Sequence, residues 1–313
     1  MDNTYIAIPV DDYAQSANTL FHFMGKAEYL KDLLTRRALI PRYCIENIDY
    51  LRICDEENEY KEVAVLQKCF CDIPFHKLTE TFSLQGVGAA YDTLSEEEKK
   101  KVSTNNTHPD FYGTYAVGFS KNWGEKHNLQ PVHYLNEESS HTREFSRVFG
   151  SVLQADDISD EYADDMLNRL SFVKPLRGIM KRQVQKMDKK DVTVEFWKNF
   201  HDEKEWRYVP DSSDLVECQI ERIIANPYML NFERAINDMN KSLEAVEYEK
   251  LWLKFDFDDI RYIIVPNSQA RIDIINTIMS IPSYRFQNKK QIRLKKYILI
   301  SKILVLDEIR KDW

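Results

Sequence analysis

The run Glu203-Lys204-Glu205-Trp206-Arg207-Tyr208-Val209-Pro210 limits the fold more than any other stretch of the chain. Aromatic and β-branched residues crowd it and a proline closes it, which predicts a strand. With side chains alternating at period two, Glu203, Glu205, Arg207 and Val209 fall on one face and Lys204, Trp206 and Tyr208 on the other. Two carboxylates then share a face, roughly 6.5–7 Å apart along the strand, a spacing that suits two groups addressing two parts of one bound molecule. The plainer reading is a solvated Glu/Lys ladder on an edge strand, a common guard against edge-to-edge pairing. Trp206 and Tyr208, facing away from the carboxylates, are expected in the core.

A strand with one aromatic face needs a core to lie on, and 313 residues with 43% hydrophobic and 12% aromatic content supply one. Only 8 glycines are present, too few for a phosphate loop of the usual kind. The formal net charge of -8 argues against a sequence-independent grip on nucleic acid by the whole surface and leaves a local basic groove open. The 5 cysteines, Cys44, Cys54, Cys69, Cys71 and Cys218, are odd in number, and the first residues lack the basic-then-apolar pattern of a signal peptide. Both point to a reduced, cytoplasmic setting. No run approaches the ~20 apolar residues that would cross a bilayer, so a soluble protein without a membrane partner is expected.

Taken in order, Tyr5–Val10 is a short alternating run from which little follows. Asn18–Gly25 is an apolar, strand-like run with His22 inside it, followed by a helical pattern carrying Leu30, Leu33 and Leu34. A lone histidine on an apolar strand most simply bonds to backbone in the core. Val63–Phe75 predicts a strand that runs into Pro74. Cys69, Cys71 and His76 lack the second ligand pair that structural zinc requires, so no metal is expected. Phe111–Trp123 predicts a strand feeding a short helix, and Gln130–Leu135 a second strand. Residues 137–190 are polar with helically spaced apolar positions and read as a helical insertion, as do residues of about 84–108. Leu215–Ile220 predicts a strand, and Arg271–Ile281 a helix with Ile274, Ile275 and Ile278 inward. With no internal repeats and no low-complexity linker, one mixed α+β domain spanning 1–313 is expected.

Several stretches, in this order, resemble one family: Phe21-His22-Phe23 with its Leu30/Leu33/Leu34 helix, Cys69–Pro74, Tyr112–Trp123, Pro131–Leu135 and Glu203–Arg207. The chain is similar over roughly residues 18–310 to the AbiGi family of bacterial abortive phage-resistance proteins, described as the antitoxin half of a two-gene system. That resemblance implies an anti-phage role with a cognate toxin or antitoxin as partner, and no chemistry.

A second resemblance supplies chemistry. A strand with His, a helix, a strand with an aromatic and a late strand with Glu-x-Glu together look like the ADP-ribosyltransferase superfamily, including its nucleic-acid-modifying toxins. It implies an ADP-ribosyltransferase-like mixed sheet and an effector that uses NAD as substrate to modify a protein or nucleic acid, or hydrolyses it. His22 would hold the NAD, Glu205 would bond the nicotinamide ribose, and Glu203 would orient the acceptor. Phe70, Tyr112 and Tyr115 are all candidates for the ring that stacks on nicotinamide, and Arg207 could pair with either glutamate or with pyrophosphate. Cleaving the nicotinamide–ribose bond develops an oxocarbenium-like cation, which a fixed carboxylate stabilises. This resemblance implies that the strands bearing His22 and Glu205 lie side by side, lining a cleft, and that Glu205→Gln removes activity while sparing the fold. The alternative is a non-catalytic antitoxin or sensor that binds a toxin or phage component.

Overall fold

The computed structural model describes residues 16–54, 59–153, 155, 159–187, 189–230, 232–286 and 292–312, so the run Tyr5–Val10 lies outside the described residues. Strand β1 (Thr19–Met24) leads into helix α1 (Ala27–Arg36), and strands β2 (Arg42–Asn47) and β3 (Glu62–Cys71) follow. Helix α2 (His108–Tyr112) precedes strands β4 (Tyr115–Ser120), β5 (Gln130–Pro131) and β6 (His133–Leu135). Helices α3 (Ser140–Leu153) and α4 (Asp160–Leu170) come next. Strands β7 (Val173–Pro175), β8 (Arg177–Gln185), β9 (Asp191–Asn199) and β10 (Glu205–Tyr208) run from there to the middle of the chain's second half. Helices α5 (Ser212–Cys218) and α6 (Glu233–Ser242), strand β11 (Ile260–Val265), helices α7 (Ser268–Ser280) and α8 (Ile292–Ser301), and strand β12 (Ile303–Val305) follow.

The main sheet has the order β12-β11-β4-β1-β3-β10-β5, with β2 also paired to β3. Its neighbours are antiparallel except for β11 with β12, which makes the class mixed α+β. β1 pairs with β4 residue for residue, from Thr19↔Ser120 to Met24↔Tyr115. Against β3 it pairs only at Phe21↔Cys71. The sheet therefore parts between its two central strands, and a cleft lined by His22, Phe23 and Met24 of β1 and Lys68 of β3 lies at the gap.

Each face of the sheet is sealed by alternation. Leu20, Val117, Phe119, Phe70, Trp206 and Ile263 project one way into the main core. α1 covers this face because Leu30, Leu33 and Leu34 fall on one side of it at three-to-four spacing. α7 adds Ile274 and Ile278, and Asn267 caps it by accepting from the Ala270 amide at 3.0 Å. The other face carries Phe21, Ala116 and Ile264 in a smaller cluster. Gly113 holds α2 against β1: at φ 122 its ideal Cβ would sit 2.2 Å from the Met24 backbone, so only glycine lets Tyr112 come this near the strand.

Four expectations change. The Glu203–Val209 run is not one strand: Phe200–Glu203 is a 3₁₀ turn, Lys204 is left-handed at φ 44, and β10 begins at Glu205. The supposed helical insertion at 137–190 is helical only in α3 and α4; β7 and β8 fill 173–175 and 177–185, with β8 pairing β9 from Arg177↔Asn199 to Gln185↔Asp191. Alternation in Arg177–Gln185, one side exposed and the other half-buried, outweighs the polar composition that suggested helix. Leu215–Ile220 is not a strand: α5 ends at Cys218, and burial of Leu215 alone is enough to dock a short helix. β1 and β10 share the sheet but are not side by side, since β3 lies between them.

Candidate functional site

Glu203 and Glu205 do converge, by a different route from regular strand alternation. The 3₁₀ turn and left-handed Lys204 swing Glu203 back so that one ammonium bridges the pair: Lys174 Nζ, from β7, lies 2.8 Å from Glu203 Oε2 and 2.8 Å from Glu205 Oε2. Arg207 Nε donates to Glu205 Oε1 at 2.7 Å, and its other nitrogens reach Glu46 Oε1 at 2.9 Å and the Ser171 carbonyl at 2.8 Å. Lys198, from β9, donates to Glu203 Oε1 at 2.9 Å, and the Tyr112 hydroxyl donates to that same oxygen. Three carboxylates, Glu46, Glu203 and Glu205, thus face three cations, Lys174, Lys198 and Arg207.

This network is sealed. Glu203 and Glu205 are each 4% exposed and Arg207 0%, and β10 is flanked on both sides by β3 and β5. The solvated edge ladder is therefore overturned. Burial alone pushes the Glu205 carboxyl up, but Arg207 and Lys174 offset it and hold the group well below the usual carboxylate range. Burial likewise opposes ionisation of Glu203, and Lys174 and Lys198 outweigh it. Burial raises the Tyr112 phenol and the nearby glutamates raise it further, so it stays a neutral donor. An ion network of this kind is strongly destabilising when one partner is removed.

The other sequence-derived site residues separate. Register puts Glu205, Cys71 and Phe21 in one row on one face, and His22, opposite Val117, on the other. His22 and Glu205 thus share a sheet but not a face. The His22 ring is held by its Nδ1 at 2.9 Å from the Cys69 carbonyl, and burial lowers its pKa to about 3. It is a neutral imidazole whose Nδ1–H donates to backbone and whose Nε2 remains an acceptor. Phe70 is 0% exposed in the main core, edge-on to Phe119 and Trp123. Tyr115 packs against that core. Arg207 has no reach to a pyrophosphate, since its guanidinium is spent on Glu205, Glu46 and Ser171. Of the ring candidates, Tyr112 alone touches the glutamates.

His22 and Tyr112 nevertheless meet at one place, the cleft opened where β1 parts from β3. Residues the sequence did not single out, Lys174 and Lys198 at the network and Lys68 and Arg42 at the cleft, complete the two regions. Lysines on strands far apart in the chain carry no local signal; the alternation of β8 and β9, read as strands, would have placed Lys198 on the inward face.

Among the described residues no helix is long and apolar enough to cross a membrane. Residues 99–266 match a family model described as "Putative abortive phage resistance protein AbiGi, antitoxin". The curated "Abortive phage resistance protein AbiGi" of Lactococcus lactis subsp. cremoris is 36% identical over 289 residues, covering 88% of this chain and 100% of that protein. No solved structure matches the chain significantly.

Proposed function

The chain belongs to the AbiGi family of abortive phage-resistance proteins, and from that premise we propose that it is the antitoxin half of a toxin–antitoxin pair. It would bind and restrain a toxin protein rather than turn over a substrate. The observation that carries this reading is the saturation of the glutamate pair. Every carboxylate oxygen of Glu203 and Glu205 already accepts from a cation of the network. A transferase glutamate has to meet a ribose hydroxyl and a developing positive charge, and here the positive charge is supplied permanently by Lys174 and Arg207.

A second reading, an ADP-ribosyltransferase-like effector that uses NAD and modifies a protein or nucleic acid, is favoured by the cleft. His22 and Tyr112 both line it, and the Tyr112 hydroxyl donates to Glu203. On that reading Tyr112 swings aside to bring Glu203 to the ligand, with His22 holding the NAD.

Two measurements separate the readings. The purified protein is incubated with NAD and free nicotinamide is measured; in parallel, growth is followed with this chain alone, with the toxin half of the two-gene system alone, and with both. The antitoxin reading expects nicotinamide at the level of a protein-free control, no arrest by this chain, and relief of the toxin's arrest on co-expression. Growth arrest by this chain alone, together with nicotinamide release, hands the case to the transferase.

A further inference from the structure

The parting of β1 from β3 opens a cleft of ≈ 600 Å³, within the ~300–1,000 Å³ range of small-ligand sites. Much of its wall is apolar, with Phe23, Met24, Leu33, Leu39 and Ile40 contributing. Tyr29, 52% exposed, stands at its rim.

Its charges are unevenly matched. The two lining carboxylates are already engaged: Asp32 Oδ1 accepts from Arg36 Nε at 2.7 Å, and Glu244 Oε1 accepts from Arg42 at 2.5 Å. Arg42 is further tied to the Asn240 carbonyl at 2.9 Å. Lys68 is different. It is half-buried on β3, it lines the cleft, and among the described residues its ammonium has no hydrogen-bond or ion-pair partner. Its charged neighbour on this side is Arg42, of like sign. Burying a cation without a counter-charge is unfavourable, and a ligand anion placed here would relieve it. Lysine suits a phosphate as a point charge with three donors. His22, neutral and with Nε2 left as an acceptor, adds a place for a ligand hydroxyl or amino group. The side chain of Asn237, exposed on α6, offers both donor and acceptor at the rim.

We propose that this cleft binds a nucleoside phosphate, its phosphate on Lys68 and its base against the apolar wall, as a sensed ligand and not as a substrate. Lys68, the half-buried one of the two unmatched lysines on the lining, with Lys241 the exposed one, sets the phosphate, and the length of apolar wall beside it calls for a ring. The carboxylates in the cleft are held by arginines, and Glu205 stands on the opposite face of the sheet. Among the described residues neither carboxylate of the cleft is left unengaged. The inference does not rest on the antitoxin reading; it stands or falls by binding alone.

Isothermal calorimetry at pH 7 with AMP, ATP, NAD, adenosine and inorganic phosphate tests it. AMP or ATP should bind, with adenosine and phosphate each at least tenfold weaker. Lys68→Met should weaken nucleotide binding at least tenfold, and Lys68→Arg by less. Asn237→Trp, which fills the rim from an exposed position, should also weaken it and serves as the second variant if Lys68→Met folds poorly. Melting without ligand controls for folding. The proposal fails if no nucleotide binds, if phosphate alone binds as tightly as AMP, or if Lys68→Met and Asn237→Trp both bind like the parent. Nicotinamide released from bound NAD would overturn its claim that the ligand is not a substrate.

Discussion

The glutamate network and the cleft lie on opposite sides of β3 and handle charge in opposite ways. In the network, three carboxylates and three cations lie together, Glu203, Glu205, Lys198 and Arg207 buried and Glu46 and Lys174 half-buried, and every carboxylate oxygen of Glu203 and Glu205 is used. In the cleft, carboxylates are matched to arginines, and Lys68 and the exposed Lys241 are left over. Balanced charge holds elements in place, here tying β7, β9 and β10 to one another, whereas unbalanced charge is what a ligand can answer. Acidic residues close in sequence draw the eye as a site. In this fold they are a clasp.

The sharpest way to break that comparison is to remove one charge from each region. Glu205→Gln leaves Lys174 and Arg207 buried with too little negative charge, and removing one partner of a buried pair typically costs ~3–5 kcal/mol. Denaturant unfolding should show a loss of that size, the reverse of the sequence expectation that this substitution spares the fold. A variant as stable as the parent would mean that the network is slack and that its glutamates are available for chemistry. Trp206→Ala removes a ring from the main core beneath the network and should cost ~3–5 kcal/mol, read in the same assay. A loss below ~1 kcal/mol would mean that Trp206 does not pack as the register requires.

Acid should act on both regions at once. Glu205 and Glu203 have folded pKa values held below their unfolded ones. Their contribution is therefore complete above the unfolded value of ~4.3 and is lost as pH falls below it. His22 and His108 are lowered to about 3 by burial. The unfolded chain takes up those protons first, near the unperturbed histidine value of ~6.5, so stability declines from there toward pH 3. Melting temperatures between pH 7 and 4 should fall in that order, with the histidines first. His22→Gln should flatten the upper part of the profile, and an unchanged slope would show that the imidazole is protonated in the folded state.

The smallest effect is expected at the cleft. Lys68 is lowered to about 8, first by burial and also by Arg42, with the Cys44 and Cys69 thiols working against them. A lysine lowered in the folded state destabilises at neutral pH, and that penalty fades as pH rises from about 8 toward the ordinary lysine value of 10.5. Lys68→Met should leave the unliganded protein as stable as the parent at pH 7 or slightly more so, by less than ~1 kcal/mol, the gain shrinking by pH 10. A clear loss would mean that the ammonium has a partner after all.

How much of this was legible in the sequence depends on whether the signal was local. The leucine spacing of α1, the inward Ile274 and Ile278 of α7 and the burial of Trp206 could all be read from period alone. The turn that swings Glu203 out of the strand could not, because it depends on Lys204 at positive φ, and nothing in a lysine announces that conformation. α5 was missed because a short run around Leu215 and Val216 is ambiguous between helix and strand. Lys174 and Lys198 reach the glutamates only once β7 and β9 have been placed, which the polar composition of 137–190 concealed. Lys68 gave no sign at all. Its meaning lies in the partner it lacks, and a missing partner is visible only in three dimensions.

The topology also governs when the protein can begin to work. β1, made early, sits in the middle of the main sheet and takes its neighbours from β3 and β4, while β10, β11 and β12 arrive much later in the chain. Pairings so distant in sequence close slowly, and on a ribosome the sheet stays incomplete until those late strands have been made. A toxin with more local contacts would mature sooner than its restraint. On the proposed function, safety would then come from a standing pool of finished protein, and any event that halts translation, as phage infection can, would stop that pool from being replenished.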